Sequence, residues 1–148
     1  MRFWKDMGPQ LLSVLRIAAA VMLIPAGTMK LFGWPMAMPP GSVLEPGGQI
    51  WWAGVLEVFG GLLVLLGLAT RPVAFILSGM LAVAYWQAHA PGGPWPAFNG
   101  GVPAALYSFV FLYISAAGPG PWSLDALWKK PDEKLHSTAR EAKRVTYS

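Results

Sequence analysis

The chain has no cysteine in its 148 residues. Disulfides, thiol redox chemistry and thiolate metal sites are therefore excluded. Histidine is scarce as well. Only His89 and His136 occur, and only His89 lies near an apolar run, which argues against bis-histidine haem ligation within one chain. No metal site is expected. Charge is the third scarcity. Only 12% of residues are Asp, Glu, Lys or Arg, against 55% that are hydrophobic, whereas soluble domains average about 25% charged. That balance belongs to a membrane protein. The net charge of +4 does not point to nucleic acid, because most basic residues flank apolar segments or fill the last twenty positions.

What the chain does contain is long apolar runs. They cover residues 11–32, 50–69, 73–90 and 102–118. A helix of about 20 residues crosses a hydrocarbon layer of about 30 Å. Four such runs predict an all-α protein, an integral membrane four-helix bundle. A stub (1–10) precedes the four-helix domain (11–118), and an interfacial segment (119–130) and a polar tail (131–148) follow it. The first run is expected to be a retained helix and not a cleaved leader, since Arg16 interrupts it and no small-residue cleavage site follows.

Lys and Arg placement orients the bundle. Arg2 and Lys5 precede the first run, Arg71 lies in the tight second connection, and Lys129, Lys130, Lys134, Arg140, Lys143 and Arg144 follow the fourth. Both termini are expected to be cytoplasmic in a bacterial-type inner membrane. The outer loops, 33–49 and 91–101, are rich in Pro and Gly and are not expected to form regular helix. Trp34, Trp51, Trp52 and Trp95 mark the outer boundary; Trp4, Trp122 and Trp128 mark the inner one. Ser123 can cap a short interfacial helix in which Leu124, Leu127 and Trp128 share a face. The tail beyond Pro131 is too polar to pack.

Charges inside the runs should face the bundle, because an ionised group turned to lipid costs about 2.5–3.5 kcal/mol or more at the bilayer centre. Arg16, Ala20, Leu23, Gly27 and Lys30 form one stripe at helical spacing. Gly54, Glu57 and Gly61 form a second, with small residues that let a neighbouring helix approach. Ser78, Ala82, Tyr85 and His89 form a third. Side chains lean toward their own helix N-terminus. Lys30 thus leans into the membrane and Glu57 leans outward, bridging a depth difference of about 7 Å. We expect a Lys30–Glu57 ion pair with Tyr85 and His89 beside it, provided the first three helices are neighbours. Toward the inner side, Asp125 is the expected partner of Arg16, with Arg71 competing for it.

The ordered motifs resemble a known family. They are Arg16, Gly27 and Lys30-Leu31-Phe32-Gly33; then Glu57, Gly60-Gly61-Leu62-Leu63 and Gly67 to Arg71; then His89 before a Pro/Gly loop; then Gly118 to Asp125, GPGPWSLD. This order and spacing, over about positions 14 to 128, resembles the DoxX family of small four-helix membrane proteins. The resemblance implies an integral inner-membrane protein. Some relatives are linked to thiosulfate:quinone oxidoreductase and others to membrane oxidoreductase complexes that respond to oxidative stress. By motif match it carries over Arg16, Lys30, Glu57, Arg71, His89 and Asp125. There is one departure. Relatives often place a glutamate after the Gly-Gly that precedes the fourth helix, whereas this chain reads Gly100-Gly101-Val102-Pro103.

Three functions compete at this stage, and whether the chain is an enzyme stays open. It is the membrane subunit of a quinone-linked oxidoreductase, with Lys30, Tyr85 and His89 as donors to a quinone carbonyl and Glu57 as proton relay. Quinone is then the candidate cofactor, none is covalent, and a partner protein or the substrate supplies the electrons. Alternatively it is a non-catalytic anchor or assembly protein for a partner. In the third reading it carries a small solute, which a narrow four-helix bundle would do as a homo-oligomer. The lipid bilayer is a partner in all three.

Overall fold

The computed structural model describes residues 2–38 and 45–128, with side chains from Asp6 onward. The polar tail, its basic residues and the middle of the first loop lie outside the described residues. So do the side chains of Arg2, Trp4 and Lys5.

Four long helices form the described chain. The first, α1 (Arg2–Phe32), runs past both of its prolines. The second, α2 (Gln49–Leu66), contains a π-helical turn over Leu56–Gly60. The third, α3 (Thr70–Gly92), widens into a π turn over Tyr85–His89 and tightens to a 3₁₀ turn at its end. The fourth, α4 (Val102–Ala117), has Pro103 in its first turn, where a missing N–H costs nothing. By length and apolarity α1, α2 and α3 are each able to cross a membrane. With 16 residues, α4 spans about 24 Å.

α1 begins at Arg2 rather than after a stub of ten residues, and two other differences from the sequence reading have clear physical reasons. The second apolar run reads through to Ala69, yet α2 stops at Leu66. There Gly67 adopts a left-handed φ of 70°, and its N–H and that of Leu68 bond back to the Val64 and Leu63 carbonyls. This is a Schellman stop, for which glycine has no Cβ penalty. Thr70, Arg71 and Pro72 then belong to the first turn of α3, a position proline tolerates. In the second outer loop a one-turn helix, Pro96–Asn99, forms where none was expected. Pro96 supplies a preset φ at its start.

The helices pack in a ring in chain order. α1 lies along α2, α3 along α4, and α2–α3 and α4–α1 close the ring more loosely. α1 and α3 are therefore diagonal and not neighbours, which corrects the adjacency assumed for the first three helices. Hydropathy alone marks which residues leave water but not the order around the ring. The core is narrow: Ala19, Ala20, Leu23, Val64, Ala74, Leu77, Leu81, Phe111 and Ile114. Ser78 donates to the Ser108 carbonyl at 2.7 Å, tying α3 to α4. Met22, Phe59, Phe75, Phe109 and Tyr113 point outward. In lipid this exposure carries no penalty, so close packing and interhelical hydrogen bonds hold the bundle.

Candidate functional site

Chemistry-bearing side chains gather at two levels. The first is the α1–α2 seam in the half of the bundle where α1 ends and α2 begins. Three glycines make this seam close. A Cβ on Gly27 would sit 2.8 Å from the Gly54 carbonyl oxygen and 2.8 Å from Glu57 Cβ. One on Gly61 would meet Ile24 at 2.8 Å, and one on Gly54 would press on Lys30 and Leu31. Into that seam the π turn of α2 projects Glu57, which is 4% exposed. Lys30 Nζ donates to Glu57 Oε2 at 2.6 Å and to the Ala26 carbonyl at 3.3 Å. The lysine side chain keeps 20% of its surface accessible. The pair is thus buried on its acidic side and open on its basic side. A π turn shifts the register of the residues after it, and such turns recur at functional sites. Nothing in hydropathy announces one.

Gly27→Leu at this seam should drive α1 and α2 apart. Its Cβ alone overlaps backbone oxygen that cannot rotate away. We expect loss of at least about 3 kcal/mol of stability, with an ion pair that no longer forms. The thermal unfolding midpoint of the detergent-solubilised protein checks this.

Tyr85 and His89 do not join that pair. They lie on α3, across the ring from α1, and turn to the second loop. The Tyr85 hydroxyl donates to the Pro94 carbonyl at 3.3 Å and accepts from Asn99 Nδ2 at 3.4 Å. His89 Nδ1 lies 3.2 Å from the Asn99 carbonyl oxygen, and the two rings stack at 6.4 Å. The hub is Asn99, which sequence reasoning missed. Its amide also donates to the Gly93 carbonyl at 2.8 Å, and its Oδ1 accepts from the Gly101 N–H at 2.8 Å. The motif Asn-Gly-Gly after a helical turn was the available signal, since asparagine in that setting bonds its own backbone two residues on. The expected single cluster of four is therefore two clusters. One is an ion pair in the α1–α2 seam, and the other a Tyr–His–Asn lock on the loop.

The second level lies at the pole where α2 and α4 end. Arg16 is fully buried. It spends four N–H groups on backbone carbonyls: Nε on Pro119 at 2.8 Å, Nη1 on Leu65 at 2.6 Å and on Val64, and Nη2 on Trp122 at 2.5 Å. Val64 and Leu65 are C-terminal carbonyls of α2, the negative end of its dipole. Arg71 does the same for α4, donating to the carbonyls of Ser115, Ala116 and Ala117. Asp125 serves the opposite kind of end. Its carboxylate accepts from the Ala69 and Thr70 N–H groups, each at 2.9 Å, at the start of α3. It also supports Ala69, a non-glycine held at a φ of 47°, a conformation that costs about 1 kcal/mol or more.

Sequence reasoning expects Asp125 as the partner of Arg16, with Arg71 competing; in the structure the Asp125 carboxylate hydrogen-bonds the Ala69 and Thr70 N–H groups. Asp125 also acts on Arg16 electrostatically, and each of these three charges meets the end of a helix. A helix end offers unpaired carbonyls or amides wherever it stops, and hydropathy shows charges but not where helices stop.

One further feature is an apolar groove of ≈ 380 Å³ between α1 and α4. Ala18, Ala19, Met22, Leu106, Tyr107 and Val110 are among the residues that line it. The Tyr107 hydroxyl reaches Met22 Sδ across it at 3.0 Å. None of the seven candidate residues lines it.

Comparison with known proteins places the chain. Residues 11–90 match the family model of DoxX. A protein of Haemophilus influenzae described as uncharacterized is 42% identical over 120 residues, covering 79% of this chain and 90% of the relative. No solved structure matches.

Proposed function

We propose, from the premise that the chain belongs to the DoxX family, that it is a non-catalytic membrane subunit that anchors or assembles an oxidoreductase-type partner complex. One observation carries this reading. The charges within the apolar helices are consumed by the fold. Arg16 and Arg71 hold helix C-termini, Asp125 holds a helix N-terminus, and Glu57 holds Lys30. These groups do not converge on one chamber. An enzyme site needs several convergent polar groups around a cavity, whereas the groove between α1 and α4 is apolar and neither Lys30 nor Glu57 lines it. The redox centre then resides in the partner. In this reading the subunit sits in the inner (plasma) membrane, and the Lys and Arg distribution favours both termini on the cytoplasmic side. Single cysteines introduced at Ser42 and Ser148 should label from opposite sides of the membrane. Labelling from the same side would overturn the four-span arrangement.

A second reading, a quinone-binding subunit, is favoured by the accessible side of Lys30. A quinone carbonyl could take a hydrogen bond there, with Glu57 behind it as proton relay. Mass spectrometry of quinones extracted from the gently purified protein separates the two. For an anchor, neither the wild type nor Glu57→Gln carries quinone. Quinone near stoichiometry in the wild type, lost in Glu57→Gln, would replace the anchoring reading with the quinone one.

A further inference from the structure

The ring of helices is closed unevenly. Glycines bring α1 hard against α2, and Ser78 ties α3 to α4. Among the described residues one hydrogen bond joins α1 to α4, from the Tyr107 hydroxyl to Met22 Sδ at 3.0 Å. The apolar groove of ≈ 380 Å³ lies along this seam. It reaches Val102 and Pro103, in the first turn of α4. Leu15 and Met22 on one wall, and Val102 and Leu106 on the other, are exposed on the outside of the bundle. In a membrane the groove therefore opens onto the hydrocarbon of the bilayer.

Its dimensions and its chemistry select what fills it. The walls from Leu15 to Met22 and from Val102 to Val110 each run at least about 10 Å along the bundle. With the volume of ≈ 380 Å³, that length leaves a mean section of at most about 40 Å². A helix with its side chains is about 10–12 Å across, roughly 80–110 Å² in section, so no helix of a partner or of a second copy seats in the groove. A polar ring or headgroup finds no partner there either. No charged side chain lines the groove, and its one hydroxyl, that of Tyr107, is already donated to Met22. A hydrocarbon chain leaves no group unsatisfied. An unfilled seam forfeits dispersion contacts on both walls, and packing is what holds helices together in lipid. Phospholipid is the bulk source of such chains in a bilayer.

We propose that the α1–α4 groove holds one acyl chain of a membrane phospholipid, whose headgroup stays at the boundary where α4 begins. The chain supplies the contacts that α1 and α4 do not make with each other. The lipid is then a structural part of the closed ring. This site is separate from the Lys30–Glu57 pair, and it stands whether the subunit anchors a partner or binds quinone.

The test uses the full chain reconstituted in phosphatidylcholine that carries a photoactivatable diazirine midway along one acyl chain. After irradiation and digestion, label on the segments holding Met22 and Leu106 should exceed that on the exposed α3 segment holding Phe75 and Ile76 about fivefold. Ala18 stands on the exposed wall of the groove, so Ala18→Phe fills it from outside and should abolish the preference. Gly79→Phe adds bulk where nothing lies within 4 Å of a Cβ and should keep it. Tyr107→Phe should keep it too, because a hydrocarbon chain needs no hydroxyl. Should Ala18→Phe fail to fold, the wild-type labelling still decides. Label spread evenly over the exposed sides of all four helices would overturn the proposal. So would a preference lost in Tyr107→Phe, or a groove shielded from label by a second copy or a partner's helix.

Discussion

Replacing Arg16 by leucine should abolish recovery of a monodisperse bundle. Leucine matches the apolar surroundings but leaves the carbonyls of Leu65, Pro119 and Trp122 without the arginine donor, and Val64 with the Gly67 N–H but not the guanidinium. Each orphaned buried carbonyl costs about 1–3 kcal/mol, so even with relaxation the loss reaches about 4 kcal/mol or more. That approaches the whole stability of many small domains. Lysine does not restore it. Its single ammonium is a point charge with three donors, whereas the arginine fork reaches two chain segments at once. Size-exclusion profiles and thermal unfolding of Arg16→Leu and Arg16→Lys check this. A variant as stable as the wild type would show that the staple is dispensable.

The Lys30–Glu57 pair should be strongly non-additive. Lys30→Met alone strands a carboxylate that is 4% exposed and should cost about 3–5 kcal/mol. Changing both residues to methionine removes the stranded charge and should cost less than about 1 kcal/mol, because a buried pair replaced by apolar side chains is often neutral or stabilising. The double-mutant cycle in thermal or denaturant unfolding gives the coupling directly. A double variant as unstable as Lys30→Met would mean that the pair contributes more than mutual neutralisation. The double variant also decides function. An anchoring subunit keeps its partner complex active when the pair is gone, and a quinone subunit does not.

The two predictions rest on residues that the sequence exposes to very different degrees. Glu57 is conspicuous as an acid in an apolar run, and its stripe with Gly54 and Gly61 shows which face it shares. Lys30 follows from the tilt of side chains along a helix and from membrane depth. The structure brings the two together at 2.6 Å because glycines on both helices permit close approach. Arg16 is equally conspicuous, but its partners are not. A search for an opposite charge leads to Asp125, while the structure answers with backbone carbonyls. Such acceptors exist only because α2 ends at Gly67 and the segment after α4 folds back across it. Tyr85 and His89 fail for a different reason. Membrane depth puts them level with Lys30, but depth says nothing about which helix lies beside which.

The sequence by itself determined that the chain lives in a membrane, that it is all-helical, roughly where its apolar helices run, and which faces carry charge. These follow from hydropathy and from the period of 3.6 residues, which are local properties of a chain in lipid. Tertiary structure alone decided the ring order, the π turns, the role of Asn99 and the assignment of Arg16, Arg71 and Asp125 to helix ends. Those features depend on where distant backbone groups are left unpaired. A residue's own hydropathy carries no information about that, because an open carbonyl is created by the fold and not by any side chain.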